Sequence, residues 1–340
     1  MELHKYFNGY RICKAINVMV RFEVPRRLGN SLESKRSSDD IAKEIGCHAE
    51  ALYRLMRALA SEGIFKEIID PKTPRLFQHT QMSLDLSDPC FQGELFMHTG
   101  TGHYKSMETL PETIMTGKSQ CGKAFNEESY WHALAKDKNI ENELTIGMSS
   151  LSSRQFNEIV QLGNFDQFEI VCDLGGCEGV LMKNILDNCP KVKKGINFDQ
   201  PHVIKNIMEK QGVISSDPRY SQVGGSFFES VPEADCYTMK WIIHDWNDEK
   251  SIQILNTIAK SIKPGGKVYI IDYILSEDDM NSDHYKFIVW LDIFLLHLCE
   301  GKERTKKELL EIVSHTPFKV DSYLFPKQKL VLPITVLSLK

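Results

Sequence analysis

The sequence predicts an α/β protein whose doubly wound, mostly parallel sheet follows a mainly helical N-terminal region. Beyond residue 168, apolar runs of strand length alternate with helical patterns, and residues 171–179 form a glycine-rich turn after the first run. Residues 1–75 instead carry short helical patterns. Because consecutive parallel strands need a long, usually helical crossover, the alternation indicates a parallel sheet with helices on both faces. At 340 residues, the chain has room for two domains.

The N-terminal helical patterns lead into a predicted β wing. Residues 37–46 run from a Ser-Ser-Asp-Asp helix start to a glycine stop. Residues 52–59 place apolar side chains at helical spacing, and residues 64–68 and 77–78 resemble two short strands. A helix–turn–helix with a wing is also an outline used by DNA-binding proteins, so that function must be weighed.

The charge of this region argues against DNA. Residues 39–67 contain six acidic and four basic side chains, whereas a helix that reads DNA needs a basic surface for phosphates. Four apolar residues precede this region: Ile12, Ile16, Val18 and Val20. We interpret them as apolar surface that a protein partner covers. We therefore expect self-association into a homodimer and no nucleic-acid partner.

Composition and net charge exclude further classes of protein. A net charge of −5 gives no reason to expect nucleic acid or an anionic membrane as a partner, and no apolar run reaches the roughly 18 residues of a membrane span. The nine cysteines are scattered without a C-x-x-C pair, so we interpret them as reduced, mostly buried thiols rather than zinc ligands. A cytoplasmic enzyme without a metal is the default expectation.

The remaining elements follow from periodicity. Residues 80–160 resemble helices, with loops at Pro89 and at residues 100–102, and residues 329–339 are β-rich and supply the last antiparallel strand or strands. Between them we predict strands at 168–174, 194–199, 220–224, 234–240 and 266–272, and helices at 179–188, 201–211 and 248–262.

The glycine turn is typical of a nucleotide-type pocket. Gly175 and Gly176 follow the apolar run of VCDLGGCEG, and Asp199 ends the next predicted strand. Glycines let the backbone approach a ligand, and an acid at the next strand end binds ribose hydroxyls. A nicotinamide dinucleotide pocket would look similar. Only together with MKWIIHDWNDE (239–249), KPGGKVYIIDYIL (263–275) and EGKERT (300–305) does the turn indicate methyl transfer from S-adenosylmethionine to an oxygen.

Methyl transfer to a phenol needs positioning and a base. A phenol has a pKa of about 10, so a side chain that accepts its proton assists the displacement. His244 follows a predicted strand, at the sheet edge where ligands bind, although it could instead cap the next helix. Asp272 and Glu303 are candidates to orient its ring, although each could be a solvated acid at a strand end or a helix start.

Six segments resemble those of the caffeic-acid-type and hydroxyindole-type small-molecule O-methyltransferases. The resemblance covers residues 170–325 closely and the N-terminal part weakly, and it rests on DLGGCEG, GINFDQPHVI, GGSFFESVPEAD, MKWIIHDWNDE, KPGGKVYIID and GKERT. It implies a Rossmann-like, cation-independent methyltransferase that uses S-adenosylmethionine and releases S-adenosylhomocysteine. The implied division is a winged-helix-like dimerisation domain (1–100), a helical linker with the acceptor pocket (101–160) and a catalytic domain (161–340).

The resemblance also implies the roles of individual residues. His244 matches the family's base, and Asp272 and Glu303 match the two flanking acids. Trp241 and Met148 match positions that line the acceptor pocket, although Met148 could equally be ordinary helix core. The matching cofactor residues are Gly175 and Gly176 at the methionine end, Asp199 at the ribose, Phe227 and Ser226 at the adenine, and Lys240 before the catalytic segment.

Two positions depart from the family pattern. Ser226 stands where an aspartate commonly accepts from the adenine amino group, so the cofactor loses a charge-assisted bond. Cys177 replaces the third glycine of the turn and adds a side chain beside the cofactor. These departures keep open a relative that binds the cofactor without methylating. Retention of His244, Asp272 and Glu303 together favours the active enzyme, because a binding module does not need a base with two orienting acids.

Overall fold

A computed structural model describes residues 2–209, 216–276, 278, 280–327 and 331–340. The chain forms two compact units, the first made of Met1–Lys105 and Asp137–Leu151 and the second of Ser106–Lys136 and Ser152–Lys340. Among the helices of these described ranges, none combines the length and the apolar character that crossing a membrane requires.

The first unit is helical apart from one small sheet. Its helices are α1 (Glu2–Phe7), α2 (Gly9–Arg21), α3 (Val24–Leu28), α4 (Ser38–Ile45), α5 (Ala49–Ser61), α6 (Gln81–Asp85), α7 (Pro89–Thr99), most of α8 (Thr101–Ser106) and the first part of α11 (Lys138–Gly163). Its strands are β1 (Lys35–Ser37), β2 (Phe65–Ile68) and β3 (Leu76–His79), which pair antiparallel in the order β1-β3-β2.

The helix–turn–helix with a wing is confirmed, with the predicted helix signals in place. The Ser37 hydroxyl accepts a hydrogen bond from the Asp40 N–H at 3.1 Å and so caps α4, which ends at Gly46 with a φ of 78°. Helix α5 and the sheet share one apolar core, with Met56, Phe65 and Phe77 at most 1% exposed. Burial of such side chains stabilises the unit by about 1.5–3 kcal/mol each.

The second unit contains the α/β fold. Its helices are α9 (Leu110–Thr116), α10 (Tyr130–Lys136), the end of α11, α12 (Val180–Asn188), α13 (Pro201–Glu209), α14 (Asp248–Ala259), α15 (Asp283–Cys299) and α16 (Lys306–Ser314). Its strands are β4 (Ile170–Leu174), β5 (Lys194–Asp199), β6 (Tyr220–Gly224), β7 (Ala234–Lys240), β8 (Ile262–Ile271), β9 (Ile274–Leu275), β10 (Arg304–Thr305), β11 (Phe318–Leu324) and β12 (Ile334–Leu339).

Seven of these strands form the predicted doubly wound sheet. The order is β11-β12-β8-β7-β4-β5-β6, in which β12 pairs antiparallel with both β11 and β8 and the other neighbouring strands pair parallel. The chain moves outward from β4 to β6 and then returns to the other side of β4 at β7. Strands β4 and β7 therefore flank the switch point, and their carboxyl ends share the edge at which such sheets bind ligands.

Two predictions needed correction, and two strands were not predicted. Pro89 lies not in a loop but at the first position of α7, where its missing N–H costs no helical hydrogen bond. The loop expected at residues 100–102 shortens to Gly100, because α8 begins at Thr101. Strands β1 and β11 were not foreseen, since their mixed polar sequences lack a clear alternation. Residues 210–211 of a predicted helix and 329–330 of a predicted strand lie outside the described residues.

Candidate active site

The turn after β4 lies very close to the neighbouring strand. Gly175 has a φ of 72° and donates its N–H to the Phe198 carbonyl at 2.7 Å. A Cβ at Gly176 would lie 2.1 Å from Asn197 Oδ1 and 2.7 Å from Asp173 Oδ2. Only glycine fits there, and the turn leaves its backbone open to a ligand at the sheet edge.

Asp199 joins this turn to the end of β5. Its carboxylate accepts hydrogen bonds from the backbone N–H of Cys177 at 2.9 Å and of Gln200 at 2.7 Å. Burial raises the pKa of Asp199, although both N–H groups oppose that shift. The structure thus brings Gly175, Gly176 and Asp199 together as predicted.

Cys177 adopts a backbone conformation that normally favours glycine. Its φ is 48°, in the left-handed region, where a Cβ costs roughly 1–2 kcal/mol. Its carbonyl accepts from the Asn197 side-chain amide at 2.8 Å, which helps to hold the turn. Burial, together with the charges of Asp199 and Glu178, raises the pKa of the Cys177 thiol to about 12, so the thiol stays protonated.

Sequence reasoning missed the polar layer beneath the turn. Asp173 is 2% exposed inside β4 and accepts from the Thr238 hydroxyl of β7 at 2.6 Å. Burial raises the pKa of Asp173 to about 7. Asn197 Oδ1 is buried and has no hydrogen-bond partner among the described residues. The available signal was an acid and an amide within apolar parallel strands, since buried polar groups require a reason.

The segment after β6 carries a half-buried aromatic cluster. The Phe227 ring lies 5.0 Å from the Phe228 ring and 6.1 Å from the Trp246 ring, both edge-to-face. The Ser226 hydroxyl accepts from the Phe228 N–H at 3.3 Å. Ser226 and Phe227 follow the β6 strand directly, beside the end of β5 that carries Asp199.

His244 lies on a short 3₁₀ helix (Ile243–Asp245) that follows β7 and is 6% exposed. Its Nδ1 lies 2.8 Å from Glu303 Oε1, and its backbone N–H donates to Asp272 Oδ2 at 3.2 Å. The Asn247 side chain, and not His244, caps α14. The alternative interpretation of His244 as a helix cap is therefore wrong.

The two acids are buried, not solvated. Asp272 directly follows β8 and is 8% exposed, and Glu303 is 1% exposed on the segment before β10. Asp272 Oδ1 and Glu303 Oε2 have no hydrogen-bond partner within the described part of the chain. Both residues line a cavity of about 10 Å³, close to the space one water molecule needs. A third acid, Asp245, lies 3.5 Å from His244 Nε2.

These acids set the protonation of the histidine. Burial alone lowers the pKa of His244, but the carboxylates of Glu303, Asp272 and Asp245 outweigh it and raise that pKa to about 10. Burial raises the pKa of Asp272 and of Asp245 to about 6 each. The cluster therefore favours the imidazolium form at neutral pH when nothing else is bound.

Lys240 is the last residue of β7, and Trp241 follows it on the segment that leads to His244. The Lys240 ammonium lies 3.4 Å from the ring centroid of Trp241 and 5.9 Å from that of Phe156. Burial lowers the pKa of Lys240 to about 7, against the opposing effects of Asp173 and other nearby groups. Trp241 is 7% exposed and has a φ of 56°, a strained conformation for an aromatic residue.

The second unit thus contains every predicted site residue except Met148. Met148 lies in the first unit on α11, where it is half-buried. The preceding glycine packs tightly, since a Cβ at Gly147 would lie 2.4 Å from the Met97 side chain. The role of Met148 stays a prediction.

The fold is that of a methyltransferase-type unit, which follows a mainly helical domain along the chain. Residues 107–319 match the O-methyltransferase domain, and residues 4–86 match the O-methyltransferase dimerisation domain. The chain belongs to the O-methyltransferase family.

Individual relatives align with this protein over most of its length. Two proteins of Dictyostelium discoideum are each 32% identical: the des-methyl DIF-1 methyltransferase A, over 98% of this chain and 92% of its own length, and the probable inactive O-methyltransferase 11, over 94% and 93%. The solved structure of the mitomycin 7-O-methyltransferase MmcR superposes with a TM-score of 0.86 at 26% identity and covers 100% of this chain and 97% of its own.

Proposed function

We propose that this protein transfers a methyl group from S-adenosylmethionine to a hydroxyl of a small aromatic molecule, with His244 as general base. The supporting observation is the buried His244–Glu303 pair, whose Nδ1 and Oε1 atoms lie 2.8 Å apart. His244 follows β7, and the glycine turn follows the adjacent strand β4. A base and a nucleotide-type turn thus share one sheet edge.

The geometry of the proposed cofactor residues fits S-adenosylmethionine. The turn lies close against the neighbouring strands, because a Cβ at Gly176 would collide with Asn197 and Asp173, and Asp199 is held by the Cys177 N–H of the turn itself. Bound there, S-adenosylmethionine supplies an already activated methyl group. The residues that would hold it are Gly175 and Gly176 at the methionine end, Asp199 at the ribose, Ser226 and Phe227 at the adenine, and Lys240 beside them.

Glu303 orients the His244 ring so that it can act as a base. A hydrogen bond from Nδ1–H to Glu303 fixes the neutral tautomer in which Nε2 can accept the proton of the acceptor hydroxyl. The imidazolium that results is stabilised by Glu303, Asp272 and Asp245. Because these carboxylates also favour the imidazolium before the reaction, we expect turnover to rise with pH as His244 loses its proton.

The acceptor is proposed to be a phenol-type hydroxyl on a flat ring. Trp241 presents a buried indole next to the catalytic segment, and Met148 is assigned to the same pocket only through the family resemblance. An aromatic wall favours flat rings, and a phenol with a pKa of about 10 suits a strong base.

A non-methylating relative is the alternative, and one similar protein carries the name of a probable inactive enzyme. Ser226 and the strained Cys177 favour that alternative, whereas the intact His244 cluster favours catalysis. Incubation with methyl-labelled S-adenosylmethionine and a panel of phenols, hydroxyindoles and aromatic polyketides decides between them. Label in at least one product supports the enzyme. Cofactor binding without any labelled product across the panel supports the alternative.

We also propose a homodimer through the N-terminal domain. The apolar residues that were expected to form this surface mostly belong to the core of the first unit, since Val20 is 2% exposed and Ile16 and Val18 pack against that core. Beyond the match to a dimerisation domain, the exposed apolar side chains are instead Tyr6, Phe7 and Tyr10, at 71%, 56% and 54%. Such an apolar patch favours a partner surface. Deletion of residues 1–10, which removes these exposed side chains and keeps the buried Met19 and Val24, is expected to give monomers and lower activity together. Light scattering that found a monomeric full-length protein at micromolar concentration would contradict the dimer.

A further inference from the structure

One buried arginine contacts the backbone on both sides of the histidine. Arg304 is 5% exposed on β10. It donates from Nη1 to the Ile243 carbonyl at 3.0 Å and from Nη2 to the Trp246 carbonyl at 2.8 Å. Its Nη2 and Nε also donate to Asp248 Oδ1 at 2.7 and 3.0 Å. The guanidinium therefore spans the short helix that carries His244.

The segment that carries Glu303 contacts the same helix through its backbone. The Lys302 N–H donates to the His244 carbonyl at 2.7 Å. A Cβ at Gly301 would lie 2.2 Å from that carbonyl oxygen, so only glycine permits this approach. The Glu303 N–H in turn donates to Asp292 Oδ1 of α15 at 2.8 Å. His244 and Glu303 are thus joined by backbone contacts as well as by their side chains.

We propose that Arg304 is a positioning residue that fixes the His244–Glu303 pair in one rigid frame. This inference rests on the proposed function, because it assigns Arg304 through the base. Arg304 directly follows Glu303 in the chain and holds the loop of His244 with its side chain, so it constrains both partners of the 2.8 Å contact. A planar guanidinium offers five donors in a fixed fork, which a lysine ammonium cannot reproduce.

The first expected consequence of losing the Arg304 contacts is that neutral His244 populates both tautomers. If Arg304 holds the two segments in register, His244 exists in one neutral form, with its proton on Nδ1 facing Glu303. Loss of the fork lets the loop shift and weakens that bond. Because Glu303 raises the pKa of His244, a weaker contact also lowers this pKa. A misplacement of about 1 Å can cost on the order of a hundredfold in rate.

The test compares Arg304→Lys with Arg219→Lys. Arg219 also bonds backbone carbonyls, those of Leu186 and Val192 among them, but belongs to the β6 side of the sheet. In ¹⁵N-histidine-labelled protein titrated to a pH above the raised pKa of His244, where the ring is neutral, Arg304→Lys is expected to lose the single-tautomer signal of His244. Its kcat is expected to fall about a hundredfold with the KM values within a few-fold, and the acid limb of its pH profile is expected to move to lower pH. Arg219→Lys is expected to change none of these.

Arg304→Lys with the wild-type tautomer and pH profile would overturn the proposal. If the lysine variant does not fold, Asp248→Asn decides, because it loosens the guanidinium at a side chain that is 60% exposed. We expect a smaller change of the tautomer in the same direction, and no change would again overturn the proposal. The tautomer is read without turnover, so it also distinguishes failure of this inference from failure of His244 as the base.

Discussion

Two regions at the same sheet edge are built by different means. The turn after β4 is a backbone structure, in which Gly176 lies close against Asn197 and Asp173 and the Cys177 N–H donates to Asp199. The segment after β7 is held by charged, buried side chains that come from three separate parts of the chain, at His244, Asp272 and Glu303. The first arrangement suits binding, because it presents backbone groups to a ligand. The second suits proton transfer, because it sets the protonation state of one ring.

The contrast extends to strain and charge. In the turn, the unusual feature is conformational, since Cys177 has a φ of 48°. Around His244 it is electrostatic, since three carboxylates surround a histidine with a pKa raised to about 10. Substitutions in the first region are therefore expected to change affinity and stability, and those in the second to change rate and pH dependence.

Apart from the loss of His244 itself, the largest effect is expected for Glu303→Gln. The amide keeps the shape but removes the charge that stabilises the imidazolium, so we expect kcat to fall by about 10²–10³. Since Glu303 raises the pKa of His244, its loss lowers that pKa and moves the acid limb of the rate profile to lower pH. Glu311→Gln, at a 75% exposed position on α16, is the matched control. Unchanged kcat and pH dependence would contradict the expectation that substitutions around His244 change rate and pH dependence.

A smaller effect, confined to affinity, is expected for Asp199→Asn. Replacing a carboxylate that accepts charge-assisted bonds costs about 1.5–3 kcal/mol, or roughly ten- to a hundredfold in Kd. Calorimetry with S-adenosylhomocysteine measures this without turnover. Asp187→Asn, which alters an exposed acid paired with Lys183, is expected to leave Kd unchanged. Equal affinities of the Asp199 variant and wild type would remove Asp199 from the cofactor site.

Ser226→Asp is expected to tighten cofactor binding. A carboxylate in place of the hydroxyl offers a charge-assisted acceptor to the adenine amino group, worth up to about 1–2 kcal/mol. The same calorimetric titration checks it, with Ser226→Ala as the variant expected to bind more weakly. A constant that is unchanged or weaker in the aspartate variant would mean that the adenine is held in another way.

The smallest expected effect is that of Cys177→Gly on stability. Glycine relieves the left-handed strain, so the free energy of unfolding is expected to rise by about 1 kcal/mol. Denaturant unfolding measures the change, and Cys177→Ser, which keeps the Cβ, is expected to match wild type. A glycine variant less stable than both would show that Cys177 packing outweighs its backbone strain.

The sequence was informative where the determinants are local. The glycines at 175 and 176 directly follow β4 and the acid at 199 ends the next strand, so their spacing was enough to predict that they lie together. The His244–Glu303 contact spans 59 positions, so the sequence offered Glu303 only as one of two candidates to orient the ring, and the family resemblance matched both acids. The Arg304 bonds to backbone carbonyls could not be predicted, because carbonyls carry no sequence signal. The strain at Cys177 and Trp241 was equally hidden, since it depends on tertiary contacts.

The role of His244 as the base is tested most directly by His244→Ala with a labelled methyl donor and an acceptor identified from the phenol panel. We expect S-adenosylhomocysteine to bind as in wild type and the rate of methyl transfer to fall by about 10²–10⁴. His315→Ala, at a 60% exposed position, is expected to retain full activity. A His244→Ala rate within a few-fold of wild type, with a weakly acidic phenol as acceptor, would contradict the account.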